Sequence, residues 1–260
     1  MKVYPLVILI LFFTLAPPVF SGEWVTFKGT CTTIDGTGFR LKAKLSKPAG
    51  AGPFPAVIMM HCCAGDTPSL DPWEEGLVNW GYVVLRLDSL TPRKMKTFCG
   101  DPYIDSLVKN RCQDACDAKS YLMRLAYVDK EKIGIIGWAD GGMAAISAIR
   151  DATRPKNLSS PFKAAIALYP RCDPVHDLNA PLLVMIGRDD DWYPAERCKK
   201  YLIPGNAPYE ITLKIYDNTA HGFDWENINI RYLGHTLKYN PGATQDAMSQ
   251  AKKFLSKHLK

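Results

Sequence analysis

The chain has 260 residues, of which 47% are hydrophobic and 22% charged. That composition excludes intrinsic disorder and supports one globular domain with a sizeable core. The formal net charge is +6, but the lysines behind it, such as Lys156, Lys163, Lys199, Lys252 and Lys260, are dispersed along the chain. No basic block interleaved with aromatics marks a nucleic-acid surface.

The first residues read as an export signal. Lys2 supplies a short positive region, an apolar run follows over residues 6–15, and Val19 and Ser21 form a small-residue exit. The run falls well short of the roughly 20 apolar residues a membrane span needs, and Pro17-Pro18 breaks any helix extending it. Cleavage after Ser21 would leave residues 22–260 as a single domain, secreted or periplasmic, with no stable membrane anchor. Export makes the 8 cysteines candidates for disulfides rather than for metal or redox sites. Cys62 and Cys63 are adjacent, while Cys112 and Cys116 are four apart without histidine partners. Neither spacing is a zinc pattern, so neither a metal nor a cofactor is expected.

Residues 24–47 read as extended, with a turn signal at Asp35-Gly36-Thr37-Gly38, which predicts an antiparallel opening pair. Short apolar runs follow at 56–60, 82–87, 133–136, 164–168, 182–186 and 211–215, as expected of strands buried on both faces. Helix-length stretches lie between and after them, at 73–80, 110–125, 142–150, 195–202 and 243–258. Alternating strands and helices predict right-handed βαβ units: a three-layer α/β domain with a mostly parallel, doubly wound sheet. Ligands bind such sheets at the carboxyl ends of the strands, so chemistry is expected in the loops that follow them.

The strongest of those loops is Gly137-Trp138-Ala139-Asp140-Gly141-Gly142, with strand before it and helix after. A nucleophile elbow needs small residues two before and two after its centre, because strand and helix pack there at close range. Gly137 and Gly141 meet that need around Ala139. Further on, three adjacent carboxylates at Asp189-Asp190-Asp191 would repel one another on a plain surface, so at least one needs a partner. His221 follows the next strand, giving the order acid, then base. His176, His235 and His258 read as structural or exposed.

These segments together resemble the dienelactone hydrolase-like branch of the α/β-hydrolases. The elbow Gly137 to Gly142 is similar to the family's, and His61-Cys62-Cys63-Ala64-Gly65 resembles its oxyanion loop. Asp88 to Arg93, Gly187 to Pro194 and Ala220-His221-Gly222-Phe223 resemble further loops, so nearly the whole mature chain is covered. The resemblance implies an α/β-hydrolase fold and acyl-ester hydrolysis by a nucleophile–His–Asp triad, with Asp190 as the acid and His221 as the base. Oxyanion donors would be backbone N–H groups of Asp140 and of Cys62 or Cys63. Arg93 would face the cleft and grip a carboxylate, Trp138 would touch substrate, and the partner would be a small ester or lactone, anionic if Arg93 acts so. The His61 loop lacks the family's acidic residue, so dienelactone itself is not assigned. In this fold the strands at 164–168 and 182–186 are neighbours, which predicts a Cys172–Cys198 disulfide. A Cys63–Cys99 bridge is the second expectation, with free thiols as its equal.

A methyl group cannot attack a carbonyl, so Ala139 closes the acyl-enzyme route at that position. Three readings stay open. The chain is a natural pseudo-hydrolase that binds a small ester or acid without turnover; the alanine was substituted to trap a substrate; or Asp140, Cys62 or Cys63 attacks instead.

Overall fold

The computed structural model describes residues 22–32, 38–100, 104–153, 160–202 and 208–260. The expected export signal, and the opening turn apart from Gly38, lie outside them. Strands β1 (Glu23–Thr32) and β2 (Gly38–Ser46) form the expected antiparallel pair. Six more strands complete the sheet: β3 (Phe54–Met60), β4 (Val83–Asp88), β5 (Val128–Trp138), β6 (Ala165–Leu168), β7 (Leu182–Gly187) and β8 (Ile211–Tyr216). Their order is β1-β2-β4-β3-β5-β6-β7-β8, parallel from β4 onward, with β2 antiparallel to β4. Each parallel pairing is reached by a crossover, which needs a dozen residues or more and is usually helical.

Among the described residues five α-helices supply the outer layers: α1 (Asp71–Asn79), α2 (Ile104–Leu122), α3 (Asp140–Ala148), α4 (Ala195–Tyr201) and α5 (Pro241–Leu259). Helix α5 shows how the sequence directs them. Asn240 caps it, its side chain accepting from the Ala243 N–H, and Pro241 occupies the first turn, where its missing donor costs nothing. Ala243, Ala247, Ala251, Phe254, Leu255 and Leu259 are its buried face, spaced three or four apart as an apolar helical stripe must be. Strands β3, β4 and β7 are buried along nearly their whole length, because helices cover both faces of the sheet.

One element was not expected. Between β8 and α5 the chain forms a separate antiparallel hairpin, β9 (Asn229–Tyr232) and β10 (His235–Lys238). No helix among the described residues is long and apolar enough to cross a membrane.

Candidate active site

Four loops converge at the carboxyl ends of β3, β5, β7 and β8. Ala139 sits on the turn from β5 into α3 with φ 48° and ψ −113°. A residue bearing a Cβ pays for such a backbone with strain, and holds it only where the surroundings leave no alternative. The surroundings here are two glycines. A Cβ on Gly137 would lie 2.1 Å from the Gly141 carbonyl oxygen, so strand and helix can meet only without one. The Ala139 N–H donates to the Leu168 carbonyl at 2.9 Å, and its own carbonyl accepts from Met143 N–H at 3.0 Å. The turn is thereby fixed to β6 on one side and to α3 on the other.

The next pair comes from the loops after β7 and β8. A Cβ on Gly187 would lie 2.0 Å from the Thr219 carbonyl oxygen, and the Asp189 N–H donates to that same carbonyl. This close approach carries Asp190 to His221, whose Nδ1 lies 2.8 Å from Asp190 Oδ2. The other carboxylate oxygen, Oδ1, accepts the backbone N–H groups of Trp192 at 3.0 Å and Tyr193 at 2.8 Å. Asp190 and His221 are both buried. Three aromatic rings surround the imidazole: Tyr169 at 4.6 Å, Trp192 at 5.2 Å and Tyr193 at 5.6 Å between centroids. The Tyr193 hydroxyl donates to Asp140 Oδ1 at 2.9 Å and so ties the acid loop to the start of α3.

Ala139, Asp140, His221 and Cys62 open onto one cleft of about 260 Å³. Its far wall is the hairpin, through Ile230, Tyr232 and Leu237, with Ile228 and Trp225 leading into it. The hairpin is latched to the acid loop. Asp191 accepts from the Thr236 N–H at 2.9 Å, and Trp192 stacks on His235 at 4.7 Å with ring planes 20° apart. At the opposite edge of the cleft lies the Cys63–Cys99 disulfide, with Cα atoms 4.9 Å apart.

Comparison with known proteins gives the family and the fold. The model of the dienelactone hydrolase family matches residues 41–259. The chain belongs to that family. A Bradyrhizobium sp. protein described as a probable 2-oxo-3-(5-oxofuran-2-ylidene)propanoate lactonase is 26% identical over 233 residues, covering 84% of this chain and 89% of that protein. The dienelactone hydrolase of Anabaena variabilis matches the fold with a TM-score of 0.65 at 18% identity, covering 92% of this chain and 100% of that one. A dienelactone hydrolase-like promiscuous phosphotriesterase from metagenomic libraries does so with a TM-score of 0.64 at 17% identity, covering 92% and 100%.

Against this dienelactone hydrolase frame, two expected site residues sit elsewhere. Arg93 does not line the cleft. Its guanidinium grips Asp114 with two bonds, at 2.7 and 2.8 Å, donates to the Ser89 carbonyl at 2.6 Å, and lies over the Phe39 ring. The reason is Asp114, whose side chain is wholly buried on α2 and would be left an unpaired internal charge without that partner. Trp138 is not a cleft wall either. It is buried beneath the turn, and its indole N–H donates to Asp224 Oδ2 at 2.6 Å.

Asp224 itself was missed from the sequence. Its carboxylate also accepts from the Trp73 indole at 2.8 Å and the Tyr169 hydroxyl at 2.7 Å. Burial pushes its carboxyl up and the three donors oppose that. It anchors the residue before Ala139 and a ring beside His221 to one point.

The remaining residues narrow the attacking groups. Cys63 is consumed by its disulfide. Burial pushes the Cys62 thiol up to about 11, and a thiol so raised is almost wholly protonated near neutrality and a weak nucleophile. His61, behind it, is fully buried. Its Nδ1–H donates to the Cys62 carbonyl at 2.6 Å and its Nε2 accepts from the Ser89 N–H at 3.2 Å, so it shapes this loop rather than facing substrate. Cys172 and Cys198 are bonded, 26 residues apart. They join the loop after β6 to α4, just beyond the acid loop.

Proposed function

We propose that this chain is an ester hydrolase scaffold of the dienelactone hydrolase family whose attacking atom has been replaced by the Ala139 methyl. As given it is inert or strongly impaired. The observation that carries the reading is the His221–Asp190 bond of 2.8 Å opening onto the same cleft as the strained turn at Ala139. With Nδ1 held by Asp190, Nε2 is the nitrogen left to take a proton from a hydroxyl at residue 139. That hydroxyl would attack the ester carbon, the imidazolium would return the proton to the leaving alcohol, and water would repeat the cycle on the acyl group. Backbone N–H groups of Asp140 and of the Cys62–Cys63 segment are the donors for the oxyanion; the tight packing of Gly141 on the Met60 and His61 carbonyls brings those two segments together.

The experiment is hydrolysis of short-chain aryl esters by the chain and by its Ala139→Ser and Ala139→Cys variants. Loss of a triad nucleophile costs about 10⁶ in kcat in an otherwise intact hydrolase, with roughly 10³ to 10⁴ over water remaining. Serine should therefore raise the rate at least about a hundredfold. If neither variant does, the second reading holds, in which the cleft binds a small ester or acid without turnover; the alanine itself is what favours it.

The same proposal takes the mature protein as one exported domain, residues 22–260. Two disulfides support export, since such bonds persist in oxidising compartments. N-terminal sequencing of the exported protein tests it, and a retained Met1 would refute it.

A further inference from the structure

We infer that the cleft selects small, uncharged, apolar esters and rejects carboxylate-bearing ones, with the β9–β10 hairpin as the element that sets this preference. The inference rests on the hydrolase reading for the word ester, but its evidence is the wall chemistry. Among the described residues lining the cleft there is no lysine or arginine. Arg93 is taken up by Asp114, Arg111 is buried behind the loop and donates one bond to the His61 carbonyl, and Arg231, between the lining residues Ile230 and Tyr232, donates to the Gly234 carbonyl at 2.6 Å.

The one carboxylate in the lining is Asp140, buried at the first position of α3. A helix N-terminus draws negative charge toward it. Asp140 already supplies that charge from within the protein, so a second anion would meet repulsion rather than a vacant positive field. A bound carboxylate would lose its water with no cation to replace it, which is the costly case for burying charge.

Apart from the His221 imidazole and the tyrosine hydroxyls, the rest of the lining is apolar. Trp192, Trp225, Ile228, Ile230 and Leu237 give the cleft its aliphatic and aromatic walls. Ile230 is 49% exposed, so one side of it is wetted while another faces the cleft. The hairpin tip reaches across: a Cβ on Gly100, next to the Cys63–Cys99 bridge, would lie 3.1 Å from Leu233 Cδ1. The space under this span, about 260 Å³, is below the 300 to 1,000 Å³ of pockets that enclose drug-sized ligands, so the ester is short.

The test uses the chain as it stands, because binding needs no turnover. Quenching of its tryptophan fluorescence, with calorimetry as a second readout, is measured with ethyl propanoate, ethyl butanoate and ethyl pentanoate, and with monoethyl succinate as the anion of similar size. Affinity should rise roughly fourfold with each methylene, and monoethyl succinate should bind more than tenfold more weakly than ethyl pentanoate. Ile230→Lys, at a half-exposed position, should narrow that gap by weakening the neutral ester and strengthening the anion. The inference is overturned if the anion binds within tenfold of ethyl pentanoate, if chain length has no effect, or if no neutral ester binds saturably. Its failure is distinct from that of the hydrolase reading. An Ala139→Ser variant that hydrolyses both ester types alike sinks the preference and keeps the hydrolase. Neutral esters that bind but are never cleaved by that variant do the reverse.

Discussion

A Cβ placed on Gly141 would lie 2.1 Å from the Met60 carbonyl oxygen and 2.4 Å from that of His61. Both obstacles are backbone of the central strand β3 and the loop it leads into, so neither can swing aside. Gly141→Ala must therefore push α3 away from β3 and shift Ala139 with it. A destabilisation of about 3 kcal/mol or more is expected, at the upper end of overpacking costs. Gly242→Ala is the contrast, because the nearest atom to its added Cβ is a side-chain oxygen at 3.6 Å. In a helix that change should be neutral or stabilising by up to about 1 kcal/mol. Urea midpoints of the two variants check this, and equal midpoints would contradict it.

Asp224 joins Trp73, Trp138 and Tyr169, residues from three other parts of the chain. Asp224→Ala leaves three buried donors without an acceptor, each worth about 1 to 3 kcal/mol, so a total loss of at least about 3 kcal/mol is expected. Asp224→Asn keeps one acceptor oxygen but turns an N–H₂ toward a donor, and should fall between. In an Ala139→Ser background, Asp224→Asn should also lower kcat, since Trp138 adjoins residue 139 and Tyr169 packs on His221. Chemical denaturation and ester kinetics measure the two effects. A stable, fully active Asp224→Ala protein would refute the hub.

His61 provides a pH dependence whose sign is fixed. Burial first, then the Arg111 guanidinium, hold its imidazole well below the ordinary histidine value. In the unfolded chain it titrates near 6.5, so below that pH the unfolded state takes up a proton that the folded state refuses. Stability is thus intact above about pH 6.5 and falls as pH drops, by up to roughly 1.4 kcal/mol per unit from this residue. Asp66, Asp114 and Asp224 act oppositely, because burial pushes their carboxyls up. The comparison is therefore between the parent chain and His61→Gln, from about pH 7.5 to about pH 5. The variant should show the shallower fall, and parallel curves would rule the mechanism out.

The legible parts of this molecule are those with a fixed spacing. Gly137 and Gly141 flank Ala139 at the separation the turn requires, and the buried strands announce themselves as apolar runs. Arg93 misled because its partner Asp114 lies 21 residues away on a helix face that cannot be ranked buried without the sheet beneath it. Asp224 carries no local pattern; its donors stand up to 151 residues distant. The signal was on the donor side, since buried indoles at Trp73 and Trp138 need acceptors. The hairpin was invisible for another reason. Strand β9 is exposed along its length, so it lacks the buried alternation by which strands are read.

The last prediction concerns the latch of that hairpin to the acid loop. The Asp191 carboxylate accepts from the Thr236 N–H at 2.9 Å and the Thr236 hydroxyl at 3.2 Å. Slight burial would raise its carboxyl, but these bonds, with His235 and Arg231 nearby, hold it below the usual aspartate value. The group is mostly solvated, so its contribution to global stability is small. Its local effect should be larger, because it pins a two-stranded element that is marginal alone. Asp191→Ala is expected to leave the global urea midpoint within about 1 kcal/mol of the parent. It should accelerate tryptic cleavage after Arg231, on exposed β9, several-fold, as local opening without global unfolding does. Trp192 would lose its register against His235, so affinity for ethyl pentanoate should fall with it. Unchanged cleavage at Arg231 together with unchanged ester affinity would mean that stacking of Trp192 on His235, and not the Asp191 carboxylate, holds the wall of the cleft in place.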